Sequence, residues 1–142
     1  MDKNVEALKE ICKGVKMGMD SIEYLQDKVQ GEELSNYLKH EYSMYNNVLD
    51  KVNDAFSNYN VEPNKPSFGS KAMLWYGIQT NTLTDHTDSK LSELLMQGTN
   101  MGIIEGRRIL NAHGDLDTDV KKLIHDFVSY QEESVEKLKE FL

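Results

Sequence analysis

Residues 34–56 read LSNYLKHEYSMYNNVLDKVNDAF, and the spacing of their apolar side chains decides the fold class. These side chains recur at alternating steps of four and three residues: Leu34, Leu38, Tyr45, Val48, Val52 and Phe56. Such steps place them on one face of an α-helix. The row predicts a helix over residues 32–57, and Glu41 falls on the same row, so the helix carries a carboxyl group in the middle of its apolar face.

Three further segments have the same periodicity and predict helices at about residues 4–29, 88–112 and 118–142. Short turns join the first helix to the second and the third to the fourth, so each pair is expected to be antiparallel. The link between the second and third helices is about thirty residues, far beyond the ~2–8 typical of neighbours in a bundle. It contains Pro63, Pro66 and a short predicted helix at 70–83. We therefore predict one all-α domain, residues 1–142: a ferritin-like antiparallel four-helix bundle with a long helical crossover between helices 2 and 3.

Composition excludes several classes of function. The 142 residues are 39% hydrophobic and 28% charged, with a net charge of −8. The only arginines are Arg107 and Arg108, and no basic stripe exists for a nucleic-acid backbone. No apolar run approaches the ~20 residues of a membrane span. The single cysteine, Cys12, rules out an intrachain disulfide and is expected to be a buried hydrophobic residue. We expect a cytoplasmic protein with no nucleic-acid or membrane partner.

Three predicted helices carry a polar residue within the apolar row, namely Glu41, Glu105 and Gln131. A buried polar side chain costs about 1–3 kcal/mol unless it finds a partner. We interpret the three as an internally paired network that fixes the helix register, a role documented for some buried polar groups. Arg108, three residues after Glu105, and Tyr45, one turn after Glu41, are the predicted partners.

The alternative use of these carboxyl groups is a metal site. Di-metal four-helix bundles take one Glu from each of two helices and a Glu-x-x-His pair from each of the other two. Here Met44 and Ser134 occupy the histidine positions, and the amide Gln131 replaces an acid. We therefore expect no catalytic or metal-ligating residues and no cofactor. The alternative hypothesis is a di-metal carboxylate oxidoreductase or metal-storage protein, holding iron or manganese in an incomplete ligand set.

Five glycines lie within two predicted helices: Gly14, Gly18, Gly98, Gly102 and Gly106. Each costs up to ~1 kcal/mol relative to alanine inside a helix. Small residues four apart form a flat groove that allows another helix to approach closely. The spacing predicts close packing of the first helix against the third. A self-association surface and a narrow pocket for an apolar ligand are the alternatives.

Three stretches carry a resemblance to a known group of proteins: EICKGV at 10–15, GSKAMLWYG at 69–77, and the third helix with its glycines and Glu105. The chain resembles a bacterial ferritin-like four-helix-bundle family of unknown function, distantly related to rubrerythrins and ferritins. The resemblance implies the fold and a stress- or envelope-related role. It transfers no metal ligands, because only Glu41 and Glu105 match positions where such proteins keep acids. We predict a non-catalytic bundle that acts through protein–protein contacts as a homo-oligomer, with a dimer as the expected form.

Overall fold

The computed structural model describes residues 2–62, 74–79, 85 and 87–142. Four long helices make up most of these residues: α1 (Lys3–Gln26), α2 (Glu32–Ser57), α3 (Asp88–Ala112) and α4 (Thr118–Leu138). A 3-10 turn, Lys139–Phe141, follows α4, and residues 74–79 are also helical. The part of the chain that the structure describes contains no strand. The prediction of an all-α bundle is confirmed.

The predicted boundaries hold closely for α2 and α3, whereas α1 ends at Gln26 instead of Val29. The backbone N–H of Asp27, the residue after α1, bonds to the carbonyl of Leu25, and residues 27–31 then form the turn into α2. The predicted crossover helix at 70–83 is helical at 74–79, and its remainder lies outside the described residues.

Helix pairing follows the lengths of the connections. Helix α1 packs most extensively on α2, and α3 on α4, while smaller contacts join α1 to α3 and α2 to α4. Five residues link the helices of each pair, at 27–31 and 113–117, and thirty residues, 58–87, link the two pairs. The long connection between helices 2 and 3 is therefore a feature of the structure, as predicted.

One hydrophobic cluster joins all four helices. Several large side chains in it have almost no exposed surface: Leu8, Leu25, Leu38, Phe56, Leu91, Ile124 and Phe127. Cys12 belongs to this cluster and is 2% exposed, which confirms its expected role as a small buried hydrophobic residue. Burial of these residues accounts for most of the favourable free energy of folding.

The start of α3 is hydrogen-bonded to the α1–α2 turn. Thr87 is the N-cap of α3, since its hydroxyl accepts a hydrogen bond from the N–H of Lys90 at 3.2 Å. The Asp88 carboxylate is thereby free to accept the N–H groups of Gln30 and Gly31, at 2.8 and 2.7 Å. This contact fixes the second helix pair against the end of the first.

None of the helices among the described residues combines the length and the hydropathy needed to cross a membrane.

Candidate functional site: a cleft between α2 and α4

A cleft of about 220 Å³ lies between α2 and α4. Helix α2 contributes six residues to its lining: Tyr37, His40, Glu41, Met44, Tyr45 and Val48. Helix α4 contributes another six: Phe127, Tyr130, Gln131, Glu133, Ser134 and Lys137. Both sets repeat at three- and four-residue steps, so each helix presents one face to the cleft. Spaces between the helices of a bundle are common places for ligand sites.

Glu41 is the central acid of this cleft. Its side chain is buried, and its Oε1 atom accepts a hydrogen bond from the hydroxyl of Ser134. Burial raises the pKa of the Glu41 carboxyl, and the hydrogen bond from Ser134 offsets only part of this rise. Among the described residues, no lysine, arginine or histidine forms an ion pair with Glu41. The protein therefore favours the neutral form of this carboxyl group.

Three tyrosines surround Glu41. Burial and the charge of Glu41 raise the pKa of Tyr37 to about 12, although its hydrogen bond with Ser134 acts in the opposite direction. Burial and the same charge also raise the pKa of Tyr45, which hydrogen-bonds with the side chain of Gln131. Burial raises the pKa of Tyr76 to about 12. All three phenols therefore stay protonated over the physiological range.

Gln131 has one unsatisfied polar atom. The residue is 3% exposed, and its Oε1 atom has no hydrogen-bond partner. Its side-chain amide lies directly over Gly102 of α3, in the space that a Cβ atom would occupy. A buried acceptor without a donor is rare in native structures, so this oxygen calls for an explanation.

The structure brings together three of the five residues of the predicted buried polar network. Glu41, Tyr45 and Gln131 come together in the cleft, as predicted. Glu105 and Arg108 do not join them, because both are exposed on the outer face of α3. The buried face of that helix instead follows Thr99, Gly106 and Ile109. Glu105, next to Gly106, is turned by ~100° from it and reaches solvent.

Sequence reasoning missed Tyr37 and Tyr76 and treated Ser134 only as a substitute for histidine. Tyr37 lies four residues before Glu41, and Ser134 three residues after Gln131, so helical spacing alone would have placed both on the cleft face. Tyr76 gave no such signal, since it lies in the long connection and approaches the core from outside the four helices.

The five glycines of α1 and α3 lie against side chains from other parts of the bundle. Their nearest neighbours are not glycines of a facing helix but bulky side chains. On α1, Gly14 faces the ring of Phe127, and Gly18 faces the ring of Tyr45. On α3, Gly98 contacts the hydroxyl of Tyr76, and Gly102 contacts the side-chain amide of Gln131. Gly106 contacts a methyl group of Val128. Close packing of α1 against α3 through these glycines stays a prediction, since the atoms nearest to the glycines belong to side chains of α2, α4 and the 74–79 segment. The glycines make room for side chains that cross the core, three of which belong to the polar network.

The donor set of this cleft does not fit a di-metal centre. Among the described residues, no group of three or more His, Cys, Asp or Glu side chains is placed to hold a metal ion. Glu41 is engaged by Ser134, Glu105 is exposed, and Glu23 is exposed and accepts the hydroxyl of Tyr42 at 2.7 Å. His40 and Glu133 are on the cleft but exposed, and the remaining side-chain oxygens of the cleft belong to phenols, a hydroxyl and an amide, which are weak ligands for iron or manganese.

The chain can be compared with protein families, with curated proteins and with solved structures. No family model matches the chain, and no curated protein matches it significantly. Among solved structures, the chain is similar to a dodecameric thioferritin, the bacterioferritin-related protein of Bacteroides fragilis, with a TM-score of 0.64. The two share 10% sequence identity over 94% of this chain and 84% of the other. At that identity the likeness defines the fold: this chain is a ferritin-like four-helix bundle.

Proposed function

We propose that this protein is a non-catalytic ferritin-like bundle that works as a homo-oligomer. The observation that carries the proposal is the Ser134–Glu41 hydrogen bond within a group of phenols and an amide. A carboxyl group held in this way fixes the register of α2 against α4. The hydroxyl, the phenols and the amide around it are weak ligands for a divalent cation.

Self-association is supported by the outer face of α3. Met101, Ile104, Glu105 and Arg108 follow one helical stripe at i, i+3, i+4 and i+7, and all four are exposed. Met101 and Ile104 expose 53% and 51% of their surface, which is unusual for large apolar side chains beside each other on a helix. A twofold axis across this stripe would bury the apolar pair and bring the acid of one copy near the arginine of the other.

The solved neighbour supports the same proposal, because it is described as dodecameric. Its assembly does not fix the number of copies here. A dimer needs one such isologous surface, whereas a larger closed assembly needs a second contact. The mass of the assembly in solution decides between these two forms.

The oligomer is tested with paired surface variants. Met101→Lys combined with Ile104→Lys is expected to reduce the assembly to a monomer, measured by light scattering after size exclusion, with unchanged helix content. Met17→Lys, at a 38% exposed methionine of α1, is the matched control and is expected to leave the mass unchanged. A wild-type monomer at all accessible concentrations would disprove the oligomer.

The absence of a metal role is tested by elemental analysis of protein purified without chelator. We expect iron, manganese and zinc well below one ion per chain. Stoichiometric metal that is lost in Glu41→Gln would overturn the proposal and support the di-metal alternative, an oxidoreductase or metal-storage protein with an incomplete ligand set. The shape of the cleft is kept in this variant, since glutamine and glutamate have the same size.

A further inference from the structure

We propose that the cleft between α2 and α4 binds a small organic cation, a primary or quaternary ammonium compound, with its positive charge against Glu41. This inference goes beyond self-assembly and does not depend on it. Three features of the cleft carry it: aromatic walls, a buried carboxyl group beside an amide oxygen that has no donor, and a lysine of the lining that is already paired with an acid.

Four aromatic side chains line the cleft: Tyr37, Tyr45, Phe127 and Tyr130. The rings of Tyr45 and Phe127 are already in contact, with centroids 6.2 Å apart at an angle of 59°. Aromatic faces carry negative charge density and attract ammonium groups within ~6 Å, and rings from several elements together recognise quaternary ammonium ligands. Met44 adds a polarisable thioether to the same wall. These walls favour a cation with an apolar body.

Two polar groups of the cleft lining, the Glu41 carboxyl group and the Gln131 Oε1 atom, are suited to a cation. Glu41 is buried without a cationic partner among the described residues, and the Gln131 Oε1 atom has no donor. An ammonium group is the complement of both, because it supplies positive charge to the carboxylate and, in a primary amine, an N–H to the amide oxygen. An anion would instead place its charge beside Glu41.

The two basic side chains of the lining do not reverse this preference. Lys137 pairs with Glu140 at 2.6 Å and is about half exposed, so its charge is largely compensated and solvated. Glu133 also lines the cleft and adds a negative charge on the same helix as Lys137. His40 is exposed on α2. The volume of about 220 Å³ admits a ligand the size of choline.

Ligand binding is expected to release a proton from Glu41, because the other groups that face its carboxyl group stay neutral. Tyr37 and Tyr45 face it from α2, Ser134 and Gln131 from α4, and Tyr76 from the 74–79 segment. The other titratable side chains of the cleft lining are His40, Tyr130, Glu133 and Lys137. A cation that binds against Glu41 stabilises its carboxylate, so the carboxyl proton is released to the buffer as the ligand enters. Affinity is therefore expected to rise with pH.

Titration calorimetry with choline and its uncharged isostere 3,3-dimethyl-1-butanol tests this proposal on the full chain. Choline is expected to bind at least tenfold more tightly than the alcohol. Parallel titrations in buffers of different ionisation enthalpy are expected to show proton release. Equal binding of the two probes, or no binding of choline at millimolar concentration, would overturn the proposal without the need for any variant.

Two variants locate the charge. Glu41→Gln is expected to weaken choline binding at least tenfold and to abolish proton release, whereas Glu33→Gln, at an exposed position of α2 outside the cleft lining, is expected to keep both. Unchanged binding in Glu41→Gln, or an equal loss of binding in Glu33→Gln, would contradict the assignment. Phenethylammonium, a primary amine with its own ring, is the second probe and is expected to show the same dependence on Glu41.

Discussion

The Asp88 carboxylate at the start of α3 accepts a hydrogen bond from the backbone N–H of Gly31 at 2.7 Å, although the two residues are 57 positions apart in the chain. A second bond, from the N–H of Gln30, uses its other oxygen at 2.8 Å. A Cβ atom at position 31 would lie 2.6 Å from the same carboxylate, so glycine is required for the approach. One side chain thus joins the α1–α2 turn to the second helix pair.

Removing this carboxylate is expected to destabilise the bundle. Asp88→Asn keeps the shape but replaces one acceptor oxygen with an NH₂ group, so one backbone N–H loses its partner. We expect the free energy of unfolding to fall by about 1–3 kcal/mol, measured by urea titration. Asp50→Asn, at an exposed position within α2, is the matched control and is expected to change it by less than ~0.5 kcal/mol. Equal changes in the free energy of unfolding of the two variants would contradict a stabilising role for the hydrogen bonds of Asp88.

Two glycines of α1 are predicted to respond in opposite directions to alanine. A methyl group at position 18 would lie 2.7 Å from a carbon of the buried Tyr45 ring, whereas one at position 14 would lie 3.5 Å from Phe127, an ordinary contact. Gly18→Ala is expected to lose about 1–3 kcal/mol by overpacking. Gly14→Ala is expected to gain up to ~1 kcal/mol from helix propensity. Thermal and urea unfolding measure both, and a change of the same sign in the two variants would refute the packing role of Gly18.

Glu41 is expected to impose a pH dependence on stability. Its folded pKa is raised above the ordinary value of 4.5, so between these two values the folded state binds more protons than the unfolded state. The contribution of the neutral carboxyl group is complete below pH 4.5 and is lost as pH rises through the folded pKa. Glu41→Gln removes this titration. Urea titrations from acid to mildly alkaline pH should show the variant gaining stability relative to wild type as pH rises.

This comparison isolates Glu41 from other groups. Burial also raises the pKa of Asp20, and hydrogen bonding with Lys3 lowers that of Asp115, but both shifts are present in wild type and variant and cancel in the difference. A difference that stays constant with pH would show that Glu41 titrates as an ordinary solvated carboxyl group.

Apolar periodicity was sufficient to predict the four helices and the place of Glu41 and Gln131. On α2 and α4 the apolar rows are continuous, so the rotation of each helix about its axis follows directly from the sequence. The same reasoning failed on α3, where the inward face includes Thr99, Gly102 and Gly106. The predicted row included Gly98 and Gly102, but glycine has no hydrophobic side chain to fix the rotation of the helix, so the row was extended to Met101 and Glu105 as well. The partners of the glycines lie on other helices and leave no local signal.

The corrected rotation of α3 leads to a test at Glu105. Glu105→Ala is expected to change the free energy of unfolding by less than ~0.5 kcal/mol, as is usual for exposed positions. Glu41→Ala is expected to cost more, about 1–3 kcal/mol, because it leaves the Ser134 hydroxyl without its acceptor and opens a cavity. Urea titration of the two variants at pH 5 compares them directly. A loss at Glu105 as large as that at Glu41 would restore the inward orientation predicted from the sequence.

The contact between Tyr76 and Gly98 predicts how the 74–79 segment is held on the bundle. The Tyr76 hydroxyl occupies the space of a Cβ atom at position 98, and its ring packs edge-on against Trp75 with centroids 4.7 Å apart. Gly98→Ala is expected to displace both rings, because the new methyl group overlaps the hydroxyl, at a cost of about 1–3 kcal/mol. The emission of Trp75, the only tryptophan, should then shift to longer wavelength and become easier to quench, while helix content is retained.

Gly77→Ala, where the nearest atom is the Tyr24 hydroxyl at 3.6 Å, is the control within the segment. An unchanged emission spectrum in Gly98→Ala would show that this contact does not hold the segment in place.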